Sequence, residues 1–214
     1  MSSPSPGSSD PTSPATARSH AEQSLSARVG AVLFRNRSWL PVPFLLIALL
    51  APSHANGYNW LVGSVVIVLG ECVRLAGVAV AGTVTRRRSR DVQRLVNYGV
   101  FAWVRNPLYV GNFLIWMGFV VISGVMWFLP VAIVIFMIEY SLIVAYEEGV
   151  LESIFGDEYL AYKRTTPRWI PRPPRGPRET GPHDWGEAWR SEISTFMQYG
   201  ALIVAFIVKR RLSG

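Results

Sequence analysis

The chain has 214 residues, half of them apolar and only 16% charged, with a mean hydropathy of +0.26. A water-soluble domain carries about a quarter charged residues, and here the apolar residues fall in long runs, which excludes a single soluble core and points to several membrane segments. The net charge of +7 fits cytoplasmic loops and anionic headgroups rather than nucleic acid, and the single cysteine, Cys72, excludes an internal disulfide and a cysteine-cluster metal site. His20, His54 and His183 lie far apart, so no metal centre is expected.

Residues 1–27 form a Ser/Pro/Thr-rich stretch with almost no apolar content, expected to be disordered. It lacks the apolar core of a signal peptide, so the first span is expected to be retained. A short apolar segment starts at Trp39 and ends at the turn-like PSHANG; its two early prolines predict an irregular or interfacial start. Tyr58 to Ala81 is long enough to cross a bilayer. Leu108–Ile122 and Val125–Tyr146 are separated only by Ser123 and Gly124, which predicts a tight helical hairpin. Residues 147–195 are polar, basic and proline-rich after a helical opening, and a last apolar run covers Phe196–Val208 before Lys209, Arg210 and Arg211.

Arginine and lysine set the orientation. Arg28, Arg35 and Arg37 precede the first segment, Arg86–Arg88, Arg90 and Arg94 follow the second, and Lys163, Arg164, Arg168, Arg172 and Arg175 follow the fourth. The intervening turns near 52–57 and 123–124 carry no Lys or Arg. Four spans with a cytoplasmic N-terminus satisfy this asymmetry. The fifth segment either crosses, which exports its three terminal cations, or lies along the interface; the absence of a polar face favours crossing. The expected fold is an all-α, polytopic transmembrane helical bundle with about five membrane segments and a cofactor pocket on the cytoplasmic face. Its expected location is a bacterial cytoplasmic membrane, and its expected partition is a tail (1–27), a membrane core (28–171) and a proline-rich linker with a final apolar helix (172–214).

Polar residues within apolar spans face a partner or a cavity. Glu71 and Arg74, one helical turn apart, read either as a structural ion pair or as a cavity wall, and Arg74 is a candidate partner for Glu139. Two denser blocks run from Gln93 to Gly111 and from Tyr146 to Pro171. The hairpin returns both to one membrane surface. Read on composition, Arg105 and the tyrosines can be interfacial anchors, and the paired glutamates ordinary helix-end charges.

The spacing within the two blocks resembles the isoprenylcysteine carboxyl methyltransferase family and its relatives among the phospholipid N-methyltransferases. The elements are Leu95-Val96, Gly99, Phe101, Arg105-Asn106-Pro107, Tyr109 and Gly111, then Glu147-Glu148, Phe155-Gly156, Tyr159, Tyr162, Pro167 and Ile170-Pro171. The resemblance implies a membrane enzyme that transfers a methyl group from S-adenosylmethionine to a lipophilic or small acceptor: a prenylcysteine-like carboxylate, a lipid amine or a thiol. It also implies a cofactor pocket lined by Gln93, Arg94, Leu95, Val96, Phe101, Asn106, Pro107, Leu108, Tyr109 and Glu147, with Arg105, Asn106 and Tyr109 at the reacting centre. Such residues suit that ligand: a carboxylate accepts from ribose hydroxyls or pairs with an amine, aromatic faces stabilise a sulfonium, and Arg105 or Arg94 can hold a carboxylate. Methyl transfer from an activated donor depends chiefly on positioning, so it needs neither a metal nor a triad.

Two positions depart from the family pattern. Asn106 stands where the family has histidine, and Ile143 where the carboxyl methyltransferases carry a substrate-contacting arginine. Without that arginine a lipid amine, a small thiol or an isoprenoid acid comes into play as acceptor. The alternatives to a methyltransferase are a membrane lipid reductase using NADPH on a related helical fold and a non-catalytic membrane scaffold.

Overall fold

The computed structural model describes residues 25, 27–82, 94–174 and 180–213. Most of the expected disordered tail, the arginines between residues 86 and 90, Gln93 and Arg175 lie outside the described residues. All regular structure among the described residues is helical. Helix α1 covers 27–35, followed by α2 (Pro41–Leu50), α3 (Gly57–Ala81), a 3₁₀ turn (Gly99–Ala102), α4 (Pro107–Ser123), α5 (Phe128–Phe155), α6 (Asp157–Thr165) and α7 (Trp185–Ser213).

Local chemistry sets the ends of these helices. Asn56 and Asn59 cap α3 reciprocally, each side-chain oxygen accepting from the other's backbone N–H at 2.9 and 3.1 Å. Pro107 opens α4, where its missing N–H costs nothing. Gly124 closes α4 at φ 72°, and a Cβ there would lie 2.6 Å from the Ala55 nitrogen. The Asp184 carboxylate caps α7 by accepting from Glu187 N at 2.8 Å.

Three helices, α3, α5 and α7 (Trp185–Leu212), are long and apolar enough to cross a membrane, and the chain is an integral membrane protein. α2, at 10 residues, rises only about 15 Å against a hydrocarbon core of about 30 Å, and α4, at 17 residues, about 25 Å. The expected five membrane segments are thus five apolar helices, of which three have spanning length. The last apolar helix also begins 11 residues earlier than the run starting at Phe196, at Trp185. The sequence reading stopped at Glu187, Arg190 and Glu192, yet Glu192 is fully buried.

The centre of the bundle is the antiparallel pair α3 and α4. Gly63, Gly70 and Gly77 recur every seven residues on α3 and face Gly118, Gly111 and Leu108 of α4. A Cβ on Gly70 would lie 2.8 Å from the Gly111 carbonyl oxygen, and one on Gly118 2.8 Å from that of Gly63. The backbones meet directly, as in small-residue membrane packing. On one flank, α5 buries Phe136, Tyr140 and Ile143 against Trp116, Tyr109 and Phe44. On the other, α7 is tied to the pair by Arg74, which hydrogen-bonds Asn112 of α4 and both oxygens of Glu192 at 3.0 Å, with Glu71 at 3.5 Å. The Glu71–Arg74 pair is therefore one side of a three-helix junction. The expected Arg74–Glu139 partnership does not form: Glu139 Oε2 is buried with no hydrogen-bond partner among the described residues.

Candidate active site

The C-terminal end of α5 carries Glu147, Glu148 and Glu152. At 28 residues α5 is about 42 Å long, so its charged end clears a hydrocarbon core of about 30 Å. The 94–109 stretch, the turn after α6 and the α1–α2 turn converge there.

Consecutive positions on a helix point about 100° apart, and Glu147 and Glu148 enter different surroundings. Glu148 is 3% exposed. Its Oε1 accepts from Arg105 Nε at 3.0 Å and Arg168 Nε at 3.2 Å, and its Oε2 accepts from Arg168 Nη2. Arg105 Nη1 donates further to the carbonyls of Lys163 (2.8 Å) and Thr166 (3.1 Å), while the Arg105 N–H bonds Pro167 O at 2.9 Å. This buried carboxylate with two guanidinium groups joins the end of α5, the start of α4 and the turn after α6.

Glu147 faces the other way. Its carboxylate, 28% exposed, lies 3.5 Å from Arg37 Nη1 and beside the Tyr109 phenol. Tyr109 is buried edge-on to Tyr140, with ring centroids 5.1 Å apart. The Arg37 guanidinium lies 4.2 Å over the Phe34 ring, a cation–π contact that orients it. Arg37 comes from the turn between α1 and α2, far from either sequence block; its position among precursors of an apolar run gave only a topological signal.

The remaining predicted residues divide into groups. Asn106 Nδ2 donates to Arg168 O at 3.2 Å, placing it beside the Glu148 clamp. Leu95 packs with Tyr159 and Tyr162, and the Tyr162 hydroxyl donates to Phe101 O at 2.7 Å. Burial holds both phenols above their ordinary pKa, so Tyr162 donates as a neutral phenol. Val96 is half-buried and Arg94 exposed, with the Arg94 guanidinium 5.9 Å from the Tyr98 ring. Leu108 and Pro107 turn towards Gly77 of α3, away from Glu147. The structure thus joins Tyr109 to Glu147, and Arg105 and Asn106 to the 163–168 turn.

Two features have no counterpart in the sequence reading. Asn97, within the 94–109 stretch, keeps a buried Oδ1 with no hydrogen-bond partner among the described residues. Beside the 3₁₀ turn, a cavity of about 270 Å³ is walled by Ala76, Val80, Val100, Trp103, His183 and Trp185. His183 precedes α7 and Trp185 opens it, in a stretch that composition alone presents as a linker.

Comparison with known proteins gives this geometry a context. Residues 58–158 match the phospholipid methyltransferase family. That match covers the first block and the opening of the second, from the start of α3 through Glu147, Glu148 and Gly156 to the start of α6. Over this segment the chain is similar to the isoprenylcysteine and phospholipid methyltransferases. Among their curated members, it is 35% identical over 127 residues to the protein-S-isoprenylcysteine O-methyltransferases of Mus musculus and Homo sapiens, covering 53% of this chain and 42% of each relative. It is 34% identical over 118 residues to a probable protein-S-isoprenylcysteine O-methyltransferase of Oryza sativa subsp. indica, covering 51% of this chain and 60% of that one. The chain therefore spans about two-fifths of the animal relatives' length. No solved structure matches it. Arg37, His183 and Trp185 lie outside the segment matched to the family.

Proposed function

We propose that this protein is an integral membrane methyltransferase that binds S-adenosylmethionine at the Glu147 end of α5 and methylates a lipophilic or small acceptor. The observation that carries the reading is the union of the two sequence blocks at one surface: Glu147, partly exposed, faces Tyr109 and Arg37, while Glu148 is consumed in holding that geometry. The similarity of residues 58–158 to phospholipid methyltransferases supports the reaction class.

The donor set fits the cofactor. Glu147 is a partly exposed carboxylate, suited to ribose hydroxyls or an amine; Asn97 Oδ1, without a partner among the described residues, is an acceptor suited to an exocyclic amino group; Tyr109 and Phe101 offer rings to a sulfonium. S-adenosylmethionine supplies a methyl group already activated on sulfur. The protein's task is then to bind, orient and exclude water. Glu147 and Asn97 fix the polar parts. Asn106 shapes the floor through its bond to the 168 carbonyl. Arg105 acts as a positioning residue, its guanidinium being committed to Glu148 and two carbonyls.

Arg37 is the cation that reaches this site, whereas Ile143 is fully buried in the core. An acceptor carboxylate, including a prenylcysteine-like one, would therefore find its counter-charge in Arg37 rather than on α5. The aromatic- and aliphatic-walled cavity beside the 3₁₀ turn suits the apolar part of the acceptor. We place the site and the N-terminus on the cytoplasmic face, because Arg94, Arg105, Lys163, Arg164 and Arg168 all gather at this end.

The test uses full-length protein in non-ionic detergent. S-adenosylhomocysteine should raise the thermal midpoint saturably, and NADPH should not. Stabilisation by NADPH alone would favour a reductase, and stabilisation by neither a scaffold. Lipids gaining one methyl group on overproduction, read by mass spectrometry, would identify the acceptor.

A further inference from the structure

The end of the bundle remote from Glu147 is assembled from the C-terminus of α2, the N-terminus of α3, the α4–α5 turn and the last turns of α7. Gly124 packs against Ala55 there, and Phe206 against Ala48, Phe119 and Ile122. No Asp or Glu occurs in residues 38–70, 113–138 or 193–214, the segments that build this end. Lys209, Arg210 and Arg211 close α7 on the same side. Three cations thus stand at one end of an apolar bundle without a carboxylate side chain beside them among the described residues.

Lys209 is half-buried, and its ammonium donates to Ala48 O at 2.6 Å, which fixes it at the rim of an opening. That opening is a cavity of about 390 Å³ lined by Ser53, His54, Asn56, Lys209 and Arg210 over an apolar floor that includes Phe206. Tyr58 and Trp127, 72% and 64% exposed, flank this end. Amphipathic rings of this kind settle at the membrane–water boundary, which puts the cavity at headgroup depth. An uncompensated cationic cavity at that depth is matched by the phosphodiester that every phospholipid carries there.

The same assignment resolves a conflict in the charge pattern. α7 runs the full height of the bundle, from Asp184 N bonded to Ala79 O at 2.8 Å to Lys209 at the opposite end. Its terminal cations therefore face away from the Arg105–Arg168 cluster, against the ordinary distribution of basic residues. An anion bound at that end would compensate them.

We propose that this cavity is a binding site for the phosphate of an anionic phospholipid, with Lys209 and Arg210 as its cations and Ser53 and His54 as hydrogen-bonding partners. The proposal is independent of methyl transfer and concerns the other membrane face. The experiment titrates full-length protein in non-ionic detergent with phosphatidylglycerol, phosphatidylcholine or inorganic phosphate and follows the thermal midpoint. Phosphatidylglycerol should stabilise saturably, and the Lys209→Gln/Arg210→Gln pair should raise its half-saturation concentration by about tenfold or more. Arg210→Gln alone, at an exposed position, should weaken it in the same direction and decides the matter should the double variant not fold. Arg164→Gln at the opposite end should leave the titration unchanged. Equal stabilisation by phosphatidylcholine, or unchanged half-saturation in Arg210→Gln, overturns the proposal. Inorganic phosphate matching phosphatidylglycerol at equal concentration also overturns it, by reducing the cavity to a free-anion site.

Discussion

Glu147 and Glu148 are neighbours in sequence and opposites in environment. The first is a carboxylate 28% exposed beside Arg37 and Tyr109; the second, 4% exposed at its side chain, is gripped by Arg105 and Arg168. Glu147→Gln should therefore leave the thermal midpoint nearly unchanged while weakening S-adenosylhomocysteine binding by about 1.5–3 kcal/mol, the loss of a charge-assisted hydrogen bond. Glu148→Gln should do the reverse: it leaves two guanidinium groups short of their carboxylate, at a cost of about 3 kcal/mol of stability. Calorimetric titration and thermal unfolding of the two variants check this. Equal binding losses at matched stability would contradict the division of roles.

The glycine pairing of α3 and α4 makes a second, purely structural prediction. Gly70→Ala places a Cβ 2.8 Å from the Gly111 carbonyl oxygen, and neither backbone can move without separating the helices. A loss of roughly 1–3 kcal/mol is expected from such overpacking. Gly149→Ala is the contrast: a Cβ at this position on α5 meets nothing within 4 Å, so helix propensity alone should stabilise by about 1 kcal/mol. Detergent-solubilised thermal midpoints of the two variants should move in opposite directions.

These contrasts show what was legible in the sequence. The hairpin of apolar runs at 108–122 and 125–146 anticipated α4 and the membrane part of α5, because uninterrupted hydropathy reports helices that lipid must solvate. Hydropathy could not find the beginning of α7, since Glu192 is polar in sequence and buried by Arg74 in space. The seven-residue glycine spacing is visible in the text, yet only antiparallel packing reveals that Gly70 and Gly111 oppose each other. Within the site, motif spacing brought Tyr109 and Glu147 forward but was blind to partners. It had no means of showing that the Arg105 guanidinium is spent on Glu148, or that Arg37 arrives from the α1–α2 turn.

A topological prediction follows from the two charged ends. Ser53 lines the cavity near Lys209, whereas Thr165 ends α6 on the Glu148 side and is exposed. In a Cys72→Ala background, Ser53→Cys and Thr165→Cys should react with an impermeant thiol reagent from opposite faces of sealed vesicles. With the site on the cytoplasmic face, Thr165→Cys labels only in inside-out vesicles. Labelling of both from one face would mean that α3, α5 and α7 do not cross.

Asn106 carries the last prediction. Its Nδ2 donates to Arg168 O at 3.2 Å, and its own carbonyl accepts from Tyr109 N (3.1 Å) and Val110 N (3.0 Å) at the start of α4. It therefore couples the turn after α6 to the helix that presents Tyr109. Asn106→Ala keeps the backbone bonds but frees the 168 carbonyl, so the cofactor dissociation constant should rise while the fold survives. Asn106→His can restore the donor with a ring N–H, and it adds a group that titrates near 6.5. The sign of the effect is fixed by the neighbours. The imidazolium would stand beside Arg105 and Arg168, where a further positive charge disfavours a sulfonium ligand. The variant should thus bind S-adenosylmethionine close to wild type at pH 8 and lose affinity as the pH falls through about 6.5, while S-adenosylhomocysteine, which lacks the sulfonium charge, should be affected much less. Asn106 itself adds no such transition to wild type, because an amide does not titrate in this range. Affinities of both ligands measured across pH 5.5–8.5 for the two proteins check this, and a wild-type curve already breaking near 6.5 would mean that another residue carries the proton.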